Sequence, residues 1–389
     1  MLYVSNEPRL QLCFVFTYQL VYIDNVVISI SSSCSRLLEI KTQLQPMDSD
    51  PPLLSTYRAL FDARDRERID PDAIALTAAS DECELPLIDL DRLNVAGHDG
   101  RDATEKCKRE IVEAASQWGF FQVVNHGVSN ELIARVREEQ VSVFRRPFAK
   151  KATEQLLDFA PDSYRWGTPT ASSPDQLSWS EAYHIPLTPS AAPGPTEGAT
   201  RHIVEEFSTA MSRLAHKLAG ILAEGLGEGD QGYIKEKCTC NTCYLRLNRY
   251  PPCPIRCGAF GLTPHTDSDF LTILHQDHVG GLQLMQGKRW LTVKPNPHAL
   301  IINIGDLFQA WSNNMYKSVE HRVMSNAKLE RFSVAYFLCP SYDTVIQSYA
   351  EPAIYRKFSF GEYREQIKED VRLMGRKIGL TRFLAVQSL

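Results

Sequence analysis

The stretch Gly261–Phe270, GLTPHTDSDF, places a histidine and an aspartate two residues apart, at His265 and Asp267. The β-branched, apolar segment FLTIL that follows is typical of a strand. Residues i and i+2 of a strand point to one face, so extended backbone from His265 onward would project both side chains together. Two such groups facing a core require a charge partner or a metal. A turn in which both groups face water is the alternative.

Short β-rich runs around this motif predict the core of the fold. They are CYLRLNRY, FLTILHQD, GLQLMQ, RWLTVKP, ALIINIGDLFQAWS, SVEHRVM and RFSVAYFL. About seven strands at this spacing indicate a β-sandwich or a barrel. Helical patterns precede these runs, and the amphipathic segment FGEYREQIKEDVRLMGRKIGL follows them. The sequence therefore predicts a mainly β protein with flanking helices.

A third candidate ligand, His321, lies in another predicted strand, SVEHRV. Two histidines and one carboxylate on different strands match the facial triad of non-haem Fe(II) oxygenases. Neutral imidazoles suit a divalent iron, and a single carboxylate leaves net positive charge for an anionic co-substrate. His265, Asp267 and His321 are thus the candidate metal ligands.

The segment RFSVAY places Arg331 and Ser333 on one strand face soon after His321. An arginine can hold a carboxylate through two charge-assisted hydrogen bonds, and the serine hydroxyl adds a third. A dicarboxylate such as 2-oxoglutarate would then bridge the metal and Arg331. In LNRYPPCP, Asn248 and Tyr250 share a face in the same way and are candidates to contact this co-substrate.

The motifs resemble those of the plant 2-oxoglutarate- and Fe(II)-dependent dioxygenases from about Leu85 to the C-terminus. The similar segments are LPLIDL, WGFFQVVNHGV, NRYPPCP, GLTPHTDSDFLTIL, VGGLQLM, LIINIGD, WSNNMYKSVEHRV and RFSVAYFLCPS. The resemblance implies a double-stranded β-helix (jelly roll) core with a helical N-terminal region and a C-terminal helix. It also implies Fe(II) on His265, Asp267 and His321, with dioxygen as a further substrate. Arg331, Ser333 and Tyr250 would bind 2-oxoglutarate with Asn248 close by, and ascorbate would support activity.

Other segments are similar to the gibberellin 2-oxidases, specifically the group that acts on twenty-carbon gibberellins. They are SYRWGTPTA, LSWSEAYHIPL, GDLFQAWSNNMYKSVEHRV and DPPLLSTYRAL. This resemblance implies 2β-hydroxylation, which inactivates the hormone or its precursor. No catalytic residue is expected beyond the metal centre. The candidates for contact with a rigid, carboxylate-bearing diterpenoid are Trp166, Trp179, Tyr183, His184, Trp311 and Lys317, with Arg165 as a further cation.

The chain divides into an N-terminal dioxygenase region at residues 84–195, a core at 240–342 and a C-terminal helical segment at 343–389. The apolar segment Leu12–Ile30 contains Gln19, Asp24 and Asn25, which argues against a membrane span. Met47 opens MDSDPPLLSTYRALF, which reads like a natural chain start. Residues 1–46 are therefore interpreted as a non-native or disordered extension outside the fold.

Composition excludes several kinds of partner. The 389-residue chain has a formal charge of −5 and no basic cluster, which argues against nucleic-acid binding. Its ten cysteines are scattered and no secretory signal precedes them, as expected for reduced thiols in the cytoplasm, with the nucleus as a second location. We expect a monomer that binds a small molecule and no membrane.

Three alternatives stay open at this point. One is a related plant dioxygenase that acts on a flavonoid or another specialised metabolite. Another is a non-enzymatic zinc module built on Cys238, Cys240 and Cys243 with Cys253 and Cys257, although structural zinc sites usually use matched C-x2-4-C pairs. The last is a binding protein that keeps the fold without catalysis, against which the complete ligand set argues.

Overall fold

The computed structural model describes residues 21–23, 26–28, 48–66, 81–95, 98–153, 163–187, 198–227, 231–238, 242–255 and 259–385. Residues Met1–Asp50 form one unit, in which β1 (Val21–Ile23) and β2 (Val26–Ile28) make an antiparallel hairpin. Apart from this hairpin, residues 1–46 lie outside the described part, so their interpretation as an extension stays a prediction. Residues Pro51–Leu389 form the second unit.

The strands of the second unit are short, as is usual in globular proteins. They are β3 (Glu82–Cys83), β4 (Leu87–Asp89), β5 (Phe120–Val124), β6 (Tyr164–Trp166), β7 (Glu181–Pro186), β8 (Tyr244–Tyr250), β9 (Phe260–His265), β10 (Leu271–Gln276), β11 (Leu282–Gln286), β12 (Arg289–Val293), β13 (Leu300–Ile304), β14 (His321–Met324), β15 (Arg331–Leu338), β16 (Val345–Ile346) and β17 (Phe358–Ser359).

Helices flank these strands on the N-terminal and C-terminal sides of the sequence. Those in the described residues are α1 (Leu53–Arg66), α2 (His98–Gln117), α3 (Asn130–Phe144), α4 (Phe148–Thr153), α5 (Gly198–Glu224), α6 (Gln231–Lys237), α7 (Asp306–Trp311) and α8 (Phe360–Met374). Among them, none combines the length and apolar character that crossing a membrane requires.

Two sheets build the core. The larger has the order β4-β5-β13-β10-β15-β8-β7-β6, and the smaller has the order β3-β12-β11-β14-β9. The eight strands β8 to β15 divide equally between them, with β8, β10, β13 and β15 in the larger sheet and β9, β11, β12 and β14 in the smaller one. The predicted mainly β fold with a jelly-roll core and flanking helices is therefore confirmed.

The central strands of the larger sheet are apolar because both of their faces are covered. All five residues of β13, LIINI, are buried. One hydrophobic cluster packs residues of α2, α3 and α5 against this sheet. A second cluster, which includes Phe120, Leu284 and Val293, fills the space between the two sheets. Burial on both sides explains why such strands read as continuous apolar runs rather than as alternating ones.

The structure corrects the prediction that a strand runs on from His265. His265 is instead the last residue of β9, Asp267 lies in the connection to β10, and β10 starts only at Leu271. The segment FGLTPH was not predicted as a strand, because Pro264 interrupts the pattern. Proline is tolerated in edge strands, and β9 is the edge of the smaller sheet.

Two further boundaries differ from the sequence pattern. The run ALIINIGDLFQAWS is not one strand, because β13 ends at Ile304 and α7 begins after Gly305. The C-terminal helix stops at Gly375, which adopts the left-handed conformation (φ 67°) that favours glycine at a helix end. The following residues turn back toward the loop that carries Asp267, where Lys377 makes its contacts.

Candidate functional site

Three predicted metal ligands converge where β9 and β14 meet. His265 and His321 are register partners on these antiparallel strands, and their ring centroids are 4.3 Å apart. Asp267 Oδ1 lies 3.8 Å from His265 Nε2 and 3.7 Å from His321 Nε2. In the part of the chain that the structure describes, this is the one group of three or more His, Cys, Asp or Glu side chains whose ligand atoms lie this close together, within 4.8 Å.

Backbone carbonyls orient both imidazoles toward the same point. His265 Nδ1 lies 2.8 Å from the carbonyl oxygen of Thr263, and His321 Nδ1 lies 3.0 Å from that of Val319. A carbonyl oxygen can only accept, so each Nδ1 carries the proton and each Nε2 keeps its lone pair. The free lone pairs face Asp267, which is the arrangement found when histidine binds a metal through Nε2.

Two polar side chains hold the Asp267 carboxylate in place. Thr272 Oγ1 donates to Asp267 Oδ2 over 2.7 Å, and Asn303 Nδ2 donates to the same oxygen over 3.2 Å. Oδ1 is left to face the two histidines. Neither Thr272 nor Asn303 was predicted from the sequence. Thr272 lies in the recognised FLTIL segment, but only the fold brings Asn303 of β13 to this carboxylate.

Electrostatics favour the ionisation states that a divalent cation requires. Burial, and then the adjacent His321, lower the pKa of His265 to about 3, so its imidazole is neutral at neutral pH. Burial alone would raise the pKa of Asp267, but the two histidines and its hydrogen bonds lower it below the ordinary value. Burial and the Asp267 charge raise the pKa of Asp269 well above its usual range. The site therefore presents the Asp267 carboxylate and the neutral imidazole of His265 beside the ring of His321.

A cavity of about 150 Å³ opens beside these groups, between the two sheets. Its walls include the metal-ligand candidates and the predicted co-substrate residues Arg331, Ser333, Tyr250 and Asn248. The β8–β15 register pairs Arg331 with Tyr250 and Ser333 with Asn248. Residues that lie far apart in the sequence thus form a continuous patch on the inward face of two neighbouring strands.

Arg331 is a buried cation without a charge partner. The residue is 2% exposed, its Nη2 donates to Gln276 Oε1 over 2.8 Å, and its Nη1 lies 3.4 Å from Ser333 Oγ. Its Nε has no hydrogen-bond partner, and among the described residues it forms no ion pair with a carboxylate. Burying an uncompensated charge is unfavourable, so this end of the cavity fits a carboxylate supplied by a ligand.

Packing around Tyr250 fixes the width of this inner end. The Arg331 guanidinium carbon lies 4.8 Å from the centre of the Tyr250 ring, a cation–π contact. On the other side β9 passes so close that a Cβ atom at Gly261 would lie 2.7 Å from the tyrosine ring. Gln140 of α3 donates to the backbone carbonyls of both Asn248 and Ser333. Neither Gln140 nor Gln276 was predicted from the sequence.

The outer part of the cavity wall has different residues. Arg246 of β8 and Arg364 of α8 line it, together with Tyr244 and Phe337, whose rings stack at 4.3 Å. Arg246 could have been found from the alternation of LRLNRY, since residues 246, 248 and 250 share one strand face. Arg364 carries no such signal, because the docking of a helix places it at the cavity.

The predicted substrate residues lie elsewhere, and none of the six is among those that line this cavity. Tyr183 and Trp311 are buried in the main core, where Trp311 stacks on Tyr233 at 5.1 Å. Lys317 donates to the Asn314 carbonyl on the surface. The His184 ring lies 4.3 Å from that of Tyr244, and burial, followed by Arg246, Arg364 and Arg165, lowers the His184 pKa to about 4.

The two remaining tryptophans pack beneath α1 rather than over the cavity. Trp179 is buried in a cluster with Phe61 and Cys253, and Trp166 packs edge-on against Tyr57. Indole rings pack in this way because their large apolar surface is best removed from water. Contact of these residues with a substrate therefore stays a prediction.

The proposed zinc cysteines do not form a cluster in the described residues. Cys238 and Cys243 are buried in the main core, whereas Cys253 belongs to the separate cluster beneath α1. Cys240 and Cys257 lie outside the described part of the chain. The separation of these cysteines between two clusters does not support the zinc-module alternative.

Two family models match the chain. The model of the 2OG-Fe(II) oxygenase superfamily matches residues 241–340, and that of the N-terminal region of the non-haem dioxygenase in morphine synthesis matches residues 85–203. The first range contains all seven residues predicted to bind the metal or the co-substrate.

Curated relatives match over almost their full length. Gibberellin 2-beta-dioxygenase 5 of Oryza sativa subsp. japonica is 56% identical over 344 residues, which cover 86% of this chain and 97% of the relative. Gibberellin 2-beta-dioxygenase 8 of Arabidopsis thaliana is 52% identical over 340 residues, covering 86% and 98%.

Solved structures match the fold. The crystal structure of JOX2 in complex with 2OG, Fe and JA is 33% identical, with a TM-score of 0.65, and the match covers 79% of this chain and 91% of that one. The structure of a dioxygenase for auxin oxidation in rice is 28% identical, with a TM-score of 0.62, and the match covers 78% of this chain and 100% of that one.

Proposed function

The chain belongs to the 2-oxoglutarate- and Fe(II)-dependent oxygenases, and on that premise we propose that it hydroxylates gibberellins at the 2β position. Twenty-carbon gibberellins are the proposed substrates, and the reaction would inactivate the hormone or its precursor. One observation carries the chemistry: two imidazole nitrogens and one carboxylate oxygen converge beside a buried arginine that forms no ion pair with any described residue.

In this proposal His265, Asp267 and His321 hold Fe(II). The donor set would fit that ion because two imidazole nitrogens and one carboxylate oxygen are the ligands of the facial triad of non-haem Fe(II) oxygenases, which has open coordination positions for substrates. Thr272, Asn303 and the carbonyls of Thr263 and Val319 keep the donors aimed at the metal. These supporting contacts reduce the reorganisation needed when the metal binds.

Arg331 and Ser333 bind the distal carboxylate of 2-oxoglutarate, with Tyr250 and Asn248 beside its carbon chain. The bound carboxylate supplies the charge partner that the Arg331 guanidinium otherwise lacks. Gln276 holds the guanidinium in position through its hydrogen bond to Nη2. Arg331 and the three metal-ligand candidates line the same cavity, so they would hold the two ends of the co-substrate.

The protein is a dioxygenase that uses Fe(II), 2-oxoglutarate and dioxygen. When bound, the iron couples oxidation of 2-oxoglutarate to succinate and carbon dioxide with insertion of one oxygen atom into a substrate C–H bond. The side chains of the protein position both organic substrates and exclude water from the cavity. Apolar walls from Leu262, Leu274 and Phe337 suit a diterpenoid skeleton.

A substrate panel tests the proposal. Purified protein is incubated with Fe(II), ascorbate and 2-oxoglutarate, together with twenty-carbon gibberellins, nineteen-carbon gibberellins or flavanones. We expect the gain of one oxygen atom on the twenty-carbon gibberellins by mass spectrometry, with the 2β position assigned by NMR. Reactions without 2-oxoglutarate serve as controls. Oxidation of flavanones without oxidation of any gibberellin would instead favour the alternative of a dioxygenase of specialised metabolism.

Oligomeric state and location are also proposals. We propose a monomer in the cytoplasm, as the composition led us to expect. Light scattering at several protein concentrations measures the mass, and fractionation of cells that express the tagged full chain measures the location. A stable dimer or a purely nuclear signal would contradict these two proposals without affecting the chemistry.

A further inference from the structure

Two arginines at the outer part of the cavity lack the partners that arginines on a protein surface usually have. Arg246 and Arg364 both line the cavity and are half-buried. Arg246 Nε donates to Asn248 Oδ1 over 2.9 Å, which leaves its two terminal nitrogens free to turn toward the cavity. Across the described residues, Arg364 has no hydrogen bond or ion pair, and Arg246 has no ion pair.

The strand register separates these cations from the co-substrate end. Along β8 and β15 the inward pairs are Tyr250 with Arg331, Asn248 with Ser333, Arg246 with Ala335 and Tyr244 with Phe337. Tyr250 and Arg246 lie four positions apart, a rise of about 13 Å along the strand. A five-carbon dicarboxylate is shorter than this run. One bound at Arg331 would therefore leave the part of the cavity lined by Arg246 and Arg364 for a second ligand.

Among the described residues, neither guanidinium forms an ion pair with a carboxylate, although the Asp267 carboxylate lines the same cavity. Arg246 and Arg364 act on the same side chain, His184, whose pKa falls to about 4 because of burial and these neighbouring guanidinium groups. His184 is therefore neutral at neutral pH and adds no charge of its own. The adjacent stacked rings of Tyr244 and Phe337 are apolar. This combination of two cations and an aromatic wall suits an apolar acid better than a neutral or cationic compound.

We infer that Arg246 and Arg364 form a second anion subsite, which binds the carboxylate of the organic substrate. This inference rests on the proposed function for the identity of the acid, a gibberellin, but the subsite itself requires only an apolar carboxylic acid. In this inference, Arg246 and Arg364 bind the substrate carboxylate in place of the predicted candidates His184, Arg165 and Lys317. Holding the acid at the outer cations aims the apolar skeleton inward, toward the metal ligands.

Equilibrium binding under nitrogen tests the subsite without turnover. The enzyme is loaded with Fe(II) and 2-oxoglutarate, and the dissociation constant is measured for a twenty-carbon gibberellin as the free acid and as its methyl ester. We expect the native enzyme to bind the acid about 10- to 100-fold more tightly than the ester, as charge-assisted hydrogen bonds predict. Arg364→Gln should remove most of this preference by weakening binding of the acid while the ester binds as before. Arg246→Gln should act in the same direction.

A matched control lies on the same helix. Arg372 is exposed on α8 and pairs with Glu369, so Arg372→Gln should retain the full preference for the acid. The inference is overturned if Arg364→Gln and Arg246→Gln retain the preference, or if they weaken acid and ester equally, which would indicate general damage to the cavity.

A wrong gibberellin assignment can be distinguished from a wrong subsite. If the native enzyme binds no gibberellin in either form, the same measurement is made with jasmonic acid and indole-3-acetic acid against their methyl esters. A preference for acid that depends on Arg364 would keep the subsite and remove the gibberellin assignment. Equal binding of every acid and its ester would overturn the subsite itself.

Discussion

The two ends of the cavity are built differently. At the inner end Arg331, Ser333 and Asp267 are almost fully buried, and neighbouring side chains or backbone groups hold them. At the outer end Arg246 and Arg364 are half-exposed. Arg246 donates one hydrogen bond, to Asn248, and Arg364 has none among the described residues. A rigid inner end suits the chemistry common to the family, whereas a looser outer end suits the recognition of one substrate. Substitutions at the two ends should therefore affect different ligands.

Loss of a metal-ligand candidate should have the largest effect. Asp267→Ala removes the only carboxylate of the triad, and we expect hydroxylation to fall below detection because three ligands are needed to hold the ion with positions left open. Product formation and bound iron per chain are the measurements. Asp343→Ala, in an exposed turn, is the control and should leave both unchanged. Native iron content and turnover in Asp267→Ala would remove the proposed metal site.

Loss of the Arg331 charge should affect the co-substrate rather than the gibberellin. Arg331→Gln removes the charge that receives the distal carboxylate, so we expect the KM for 2-oxoglutarate to rise about 10- to 100-fold. Arg364→Gln at the outer end should raise the KM for the gibberellin instead. If either substitution raises both KM values to the same extent, the division into a co-substrate end and a substrate end is wrong.

The same division explains what could be predicted from the sequence. The inner end consists of pairs two residues apart on strands, such as Arg331 with Ser333, and a strand's period places such pairs together without knowledge of the fold. His265 and Asp267 also meet as predicted. They do so from the end of an edge strand and from a loop, however, and not from one strand, and β9 itself, which contains Pro264, was not predicted. The central strands of the larger sheet, such as β13 and β15, were recognisable because their apolar runs are buried on both faces.

The outer end could not be predicted because its residues meet only through tertiary packing. Arg364 reaches the cavity through the docking of α8, and no local pattern in FGEYREQ distinguishes it from a solvent-exposed helical arginine. The aromatic residues predicted for the substrate, including Trp179 and Trp311, pack in apolar clusters instead. Composition marks such side chains as large and apolar, but only the fold determines which cavity or core they face.

Removal of a side chain that supports Asp267 should test whether the inner end is held in its binding geometry by the protein. Thr272→Val keeps the shape of the side chain but removes the hydroxyl that donates to Asp267 Oδ2. Supporting contacts of this kind change metal affinity about tenfold or more, so we expect the Fe(II) requirement to rise about tenfold. Binding of Co(II), followed spectroscopically, should weaken equally. Thr209→Val, on the exposed face of α5, is the control, and an unchanged metal affinity in Thr272→Val would contradict the role.

The smallest effect is expected at Lys377, which links the C-terminal segment to the loop that carries Asp267. Its Nζ lies 2.6 Å from Asp306 Oδ2 and donates to Ser268 Oγ (2.8 Å) and the Thr266 carbonyl (2.9 Å). These contacts brace the backbone around Asp267 rather than its ligand oxygen. Lys377→Met should therefore weaken Co(II) binding only about fivefold, the value of roughly one hydrogen bond.

Two comparisons separate this bracing role from general destabilisation. Lys377→Arg keeps the charge and should restore most of the metal affinity, whereas a purely structural lysine would not require the charge for metal binding. Lys368→Met, which removes an exposed ion pair with Glu365 on α8, should change nothing. If Lys377→Met lowers the thermal midpoint but leaves Co(II) affinity intact, the C-terminal segment stabilises the fold without supporting the inner end. The metal loop would then be held by Thr272, Asn303 and backbone hydrogen bonds such as that from Asp306 N to the Asp267 carbonyl.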